Sequence, residues 1–157
     1  MGILETQTVA VSIEAPFACV VDDLAAPANH PEWATRFFAG PAVATDVDGE
    51  VLVEVPMMGG QVRMRVQADH RAGVVDLYLA PGGADYGPPV PFRVLPNSDG
   101  ADVLVTLTRA PGTPEAAWSD GLAAMRADAD LDFVPVLLLT AAASPSSRLA
   151  GLEGGAD

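Results

Sequence analysis

The sequence predicts an α+β fold in which a curved seven-stranded antiparallel sheet surrounds a long C-terminal helix, with two short helices between the first and second strands. Three observations lead there. Residues 16 to 38, PFACVVDDLAAPANHPEWATRFF, carry helical spacing yet lie between strand-forming segments. A series of short apolar runs broken by Gly, Pro, Asp and Asn then extends to residue 108, which is the pattern of strands joined by tight turns. Finally, Thr113-Pro114-Glu115 has the residue types that open a helix: a capping hydroxyl, a proline where no amide partner is needed, and an acid in the first turn.

Thr6 to Ile13 is the first expected strand. A helix opens at Pro16, and Phe17, Val20, Val21 and Leu24 then fall at i, i+3, i+4 and i+7 to form one apolar stripe. Ala26-Pro27 ends it. Asn29 or His30 can cap the next amides, Pro31 restarts a helix, and Trp33, Phe37 and Phe38 supply its buried side. Six more strands are expected at Pro41 to Val47, Val51 to Met57, Gln61 to Ala68, Val74 to Leu79, Val90 to Leu95 and Val103 to Thr108. Alternation is clearest where Val62, Met64, Val66 and Ala68 interleave with Arg63, Arg65, Gln67 and Asp69, so one face of the sheet is apolar and the other wet. Trp118, Leu122, Met125 and Ala129 mark the inner side of the last helix. Pro135 should kink or break it, and residues 141 to 157, rich in Ala, Ser, Gly and Pro, read as a flexible tail. One domain over residues 1 to 140 follows, since 157 residues, half of them apolar, supply one core.

The stretch from Val9 to Phe38, with Ile13-Glu14-Ala15-Pro16 leading into the first helix and Trp33 near the start of the second, resembles the opening of the SRPBCC superfamily, the START-like and polyketide-cyclase-like proteins of the helix-grip fold. The resemblance covers the first quarter of the chain in motif and the stretch to about Thr140 in element order. It implies a cavity for a hydrophobic small molecule, and brings no family-wide catalytic motif with it.

Composition narrows the chemistry. The net charge of −13, from 21 acids against 8 bases, argues against nucleic acid and against an anionic membrane surface, both of which need clustered cations. All the bases are Arg, so Schiff-base chemistry through a lysine is excluded. Cys19 is the single cysteine; no intrachain disulfide can form, and on an apolar-flanked helix it reads as a small packed hydrophobe. No basic segment followed by an apolar run opens the chain, and residues 133 to 143, FVPVLLLTAAA, fall short of the ~20 residues that span a bilayer. A cytoplasmic protein is expected.

A curved sheet closed by one helix leaves an interior wider than side chains fill. Trp33, Phe37, Met57, Met64, Phe92, Trp118 and Met125 are the bulky apolar groups expected to line it. The loop Ala80 to Pro89 and the turn Met57-Met58-Gly59-Gly60 are expected at its rim, because glycine-rich connections move and methionine adapts to varied shapes.

Polar candidates are few. His30 and Glu32 bracket Pro31 and could serve as acid and base or as metal ligands, but capping is the simpler account. Neither HExxH nor CxxC spacing occurs, and Asp128, Asp130 and Asp132 lack the glycine and the final Glu of a calcium loop, so no metal is expected. No phosphate loop or dinucleotide fingerprint is present, and no cofactor is expected. Arg63, Arg65 and Asp76 have the parity of the wet face. Among the strand residues, His70 and Tyr78 are the candidates for acting on substrate: histidine changes charge near neutral pH, and tyrosine polarises a carbonyl without ionising. Two functions remain. One is an enzyme similar to polyketide cyclases, which cyclises or dehydrates a polyketide-like chain largely by orienting it. The other is a carrier that sequesters a hydrophobic ligand. A partner-binding protein with a filled interior is the weaker third, and homodimer formation is left open.

Overall fold

The computed structural model describes residues 2–127. Strand β1 (Thr6–Ile13) leads through Ala15 into α1 (Phe17–Ala25); a 3₁₀ turn at Pro27–Asn29 joins α1 to α2 (His30–Trp33). Strands β2 (Val43–Ala44), β3 (Glu50–Val55), β4 (Gly60–Asp69), β5 (Val74–Pro81), β6 (Val90–Asn97) and β7 (Gly100–Thr108) follow, and α3 (Glu115–Ala127) comes last. The sheet order is β1-β7-β6-β5-β4-β3-β2, with every neighbouring pair antiparallel. Hairpins therefore connect β2 to β7 in sequence, and β1 returns to close the far edge.

The pleat sorts the side chains as the alternation requires. Met64 is opposite Val51 and Leu79, and Phe92 opposite Val75 and Val105, all on the inner face. Arg65 is opposite Glu50 and Tyr78 on the outer face. Helix α1 lays Val20, Val21 and Leu24, none with measurable exposure, over β6 and the neighbouring strands. Cys19 is a partly buried thiol packed against this core. The β4–β5 turn locks the helix in place: Gly73 has φ +70°, and a Cβ there would run into the Val94 carbonyl oxygen and the Phe17 ring. Only glycine fits so close an approach at positive φ.

Several details differ from the sequence reading. The strand expected over Pro41 to Val47 shrinks to Val43–Ala44, an exposed edge with no inner face to bury. The strand from Val51 stops at Val55, because Pro56 opens a 3₁₀ turn through Met58. Helix α2 is a single turn, which ends where Ala34 leaves helical geometry, so Phe37 and Phe38 are held by the following turn through amide bonds to the Ala34 carbonyl. Asn29 does not cap α2; its amide nitrogen donates back to Asp23 on α1. The expectations for Ala129, the 128–132 acids, the 133–143 run, the kink at Pro135, the tail from 141 and the domain limit at 140 lie outside the described residues. Among those described, no helix is long and apolar enough to cross a membrane.

Candidate functional site

An apolar cavity of about 480 Å³ lies between the inner face of the sheet and α3. Its floor is Leu77 and Leu79 on β5, Val90 and Phe92 on β6 and Leu107 on β7. Its roof is Trp118, Leu122 and Met125 on α3. One end is closed by His30, Trp33, Phe37 and Phe38, and Met57 and Met58 form part of the rim. Each wall follows from local sequence: alternation aims every second strand residue inward, and the spacing of Trp118, Leu122 and Met125 puts all three on one side of a helix.

Six of the seven apolar residues expected to line the interior do border this space: Trp33, Phe37, Met57, Phe92, Trp118 and Met125. Met64 shares their parity but is wholly buried in the core and does not reach the cavity. The loop from Ala80 to Pro89 is not at the rim. Tyr86 carries it across the outer face of the sheet, where its hydroxyl donates to Glu50 Oε2 at 2.6 Å and its ring meets the guanidinium groups of Arg65 and Arg63, 4.5 and 5.3 Å from the centroid. Arg63 also donates to the Ala84 carbonyl oxygen. The Tyr86 hydrogen bond, with the nearby arginines adding to it, holds the Glu50 carboxyl below its usual range, while burial and that same bond push the Tyr86 hydroxyl up to about 12.

His70 and Tyr78 do not border the cavity either. His70 sits in the exposed β4–β5 turn, with Nδ1 2.8 Å from Asp22 Oδ1 on α1. Tyr78 is on the outer face, where its hydroxyl reaches Gln67 Oε1 at 3.5 Å and Arg65 lies over its ring. The pleat separates both from the interior: Tyr78 lies between the inward Leu77 and Leu79, and His70 is past the end of β4.

The histidine that does reach the cavity is His30. It has no measurable exposure and is packed edge-on to Phe92, with centroids 5.5 Å apart and planes at 76°, and tilted against Trp33 at 5.7 Å. Its Nε2–H donates to the Leu24 carbonyl oxygen, 2.8 Å away at the end of α1. Burial pushes the imidazole down to about 4, against the smaller opposing effect of that carbonyl, so the ring is neutral at physiological pH. With Nε2 carrying the proton, Nδ1 is a bare acceptor, and it has no hydrogen-bond partner among the described residues. Capping does not describe His30, because its side chain is turned inward. Glu32 is exposed and takes no part. The signal that could have found His30 is its spacing: i, i+3 from Trp33 puts both on one side of a helical turn.

Of the other polar groups on lining residues, the indole nitrogen of Trp33 is buried beside His30 and the rest are peripheral. Thr108 and Asp120 are exposed, and Thr113 is half-buried. Among the described residues no group of three His, Cys, Asp or Glu side chains is placed to hold a metal ion. The arrangement is an apolar chamber with one buried neutral imidazole at its closed end.

No protein-family model matches the chain, and no curated protein matches it. Solved structures do. The ZhuI aromatase/cyclase from Streptomyces sp. R1128 superposes with a TM-score of 0.60 at 16% identity, covering 88% of this chain and 94% of its own. BexL, a di-domain aromatase/cyclase from the BE-7585A biosynthetic pathway, gives 0.60 at 20% identity over 87% of this chain, which spans about half of BexL's length (48%). Ara h 8.0201 gives 0.57 at 12% identity over 86% of this chain and 99% of its own. With the element order, the gripped C-terminal helix and the paired short helices all in place, this chain has the SRPBCC-type helix-grip fold.

Proposed function

We propose that the protein binds a hydrophobic small molecule in this cavity, a polyketide-like natural product, and that it promotes cyclisation or dehydration by holding the chain in a folded shape. The observation that carries the reading is the cavity itself: about 480 Å³ walled by aromatic, aliphatic and methionine side chains, with the buried imidazole of His30 at one end. That volume is in the range of small-molecule sites, and apolar walls favour burying a ligand's rings. The aromatase/cyclase activity of two structural neighbours supports the cyclase form of the proposal. In that form orientation does most of the work.

A second reading, a non-catalytic carrier, is favoured by a specific observation: no Tyr or Arg borders the cavity beside His30 among the described residues. Native mass spectrometry of the protein from its producing cells tests both. A bound hydrophobic molecule is expected, released in altered form after incubation if the protein is a cyclase and unchanged if it is a carrier. His70→Ala and Tyr78→Phe should leave its retention unchanged, since both lie off the cavity. Recovery of protein with an empty cavity, together with failure to bind apolar aromatic probes, would overturn the proposal.

A further inference from the structure

Gly121 interrupts the roof of the chamber. It lies three residues after Trp118 and four before Met125, so all three share one side of α3. Gly121 borders the cavity, and with no side chain it presents the helix backbone itself. Glycine is the poorest helix former after proline, because it has the most backbone freedom to lose on folding. Around it the same helix uses alanine, at Ala116, Ala117, Ala123 and Ala124. Gly73 answers a local demand, a positive φ with backbone and ring atoms close by, whereas Gly121 meets neither condition. Its backbone is helical, and a Cβ built on it would have no atom of another described residue within 4 Å. The position is a dent between an indole and a thioether, and the packing of the protein alone does not call for it.

Resting on the reading of the cavity as a hydrophobic ligand site, we propose that Gly121 is a specificity-determining residue: the ligand's ring system lies face-on against the α3 backbone there, so that the ligand class is a flat, fused polycyclic molecule. A flexible chain routes around a methyl group and gains nothing from the dent. A rigid plane cannot, and for it the missing methyl decides whether the ring reaches van der Waals contact with the roof. The glycine Cα–H groups then meet the π face, a weak but favourable contact. The gradient of exposure along the walls agrees. Trp33 and Phe38 are buried at the closed end, Met57 and Ala117 are exposed, and Gly121 is half-buried between these limits. A ring entering from the exposed side passes beneath it.

The test uses two flat probes of different width, naphthalene and pyrene, with binding followed by quenching of the Trp33 and Trp118 fluorescence. Gly121→Ala should raise the melting temperature by about 2–4 °C, since alanine favours the helix. It should weaken pyrene binding at least about fivefold, the effect of one methyl forced into a filled contact, and leave naphthalene binding unchanged. Ala123→Gly, on the exposed side of the same helix, should lower the melting temperature and leave both affinities unchanged, which separates helix stability from fit. A second measurement uses the unaltered protein: on adding pyrene, the Gly121 Hα resonances should move upfield, the ring-current signature of protons over an aromatic face, while those of Ala123 stay put. Pyrene bound by Gly121→Ala as tightly as by the parent, or Gly121 resonances that do not move when pyrene binds, would overturn the assignment to Gly121 while leaving the cavity reading intact. Binding of neither probe by the parent overturns both.

Discussion

The indole N–H of Trp118 donates to the carboxylate of Glu5 at 2.9 Å, tying the last helix to the residue just before the first strand. Arg109 completes the tie, 3.3 Å from Glu5 and 2.7 Å from Glu115, with two further bonds to the Thr113 carbonyl. Glu5 is thus the common acceptor that sets α3 over the cavity. Glu5→Ala should cost about 1 kcal/mol, a modest figure because Glu5 is about half exposed (48%) and its ion pair is screened. Faster amide exchange should then be confined to α3. Unchanged protection in residues 115–127 would show that apolar packing alone seats the helix.

His30 makes stability depend on pH with a definite sign. Its folded-state pKa lies near 4, below the 6.5 of an unfolded histidine, so between those values the unfolded chain takes up a proton that the folded chain refuses. Stability is therefore full above about pH 6.5 and is lost as pH falls towards 4, by on the order of 3 kcal/mol for this group. Denaturant titrations at pH 7.5 and 5 should show the loss. His30→Gln, which keeps a donor for the Leu24 carbonyl but cannot titrate, should flatten that part of the profile. An equal slope in both proteins would mean that His30 takes up its proton in the folded state.

The sheet was legible because its signal is periodic: five of the six strands beyond β1 carry alternating apolar positions, and the structure keeps their parity. Strand β2 was over-read, since Val43 and Ala44 lie on an exposed edge where no burial enforces a pattern. The cavity lining was legible for the same reason as the sheet. The chemistry at its closed end was not. His30 stands in a stretch, Asn29-His30-Pro31-Glu32, whose residue types suit a helix start, and only the closure of α1 and α2 over Phe92 shows that its ring turns inward. Conversely, His70 and Tyr78 attract notice by type, yet their placement follows from a turn and from the pleat. Loop Ala80 to Pro89 misled in the same way, because a glycine- and proline-rich composition reports conformational freedom and says nothing of the Tyr86–Glu50 bond that pins it.

That bond yields a third expectation. With Tyr86 between two guanidinium groups and donating to Glu50, the loop belongs to the outer face. Tyr86→Phe should raise the Glu50 pKa towards the ordinary carboxylate range, as read by side-chain carbon shifts in an NMR titration, and should speed amide exchange in residues 82–87. Binding of pyrene should be unaffected. A loss of probe binding in this variant would place the loop at the cavity after all.

Leu79 offers the sharpest test that the space between sheet and helix is what binds. It lies on β5, half-buried, with its side chain on the cavity floor beside Leu77. Trp at this position would extend into the chamber, where it meets empty volume, whereas the same change at Met64, wholly enclosed by the core, would meet packed atoms. Overpacking a filled core costs typically about 1–3 kcal/mol, and filling a void costs less, since the added ring gains contacts with the walls. Leu79→Trp should therefore leave the melting temperature within a few degrees of the parent while weakening pyrene binding at least tenfold. Met64→Trp should do the reverse, lowering the melting temperature strongly at nearly unchanged affinity for whatever protein stays folded. If Leu79→Trp binds pyrene as well as the parent does, the ligand site is elsewhere on the molecule.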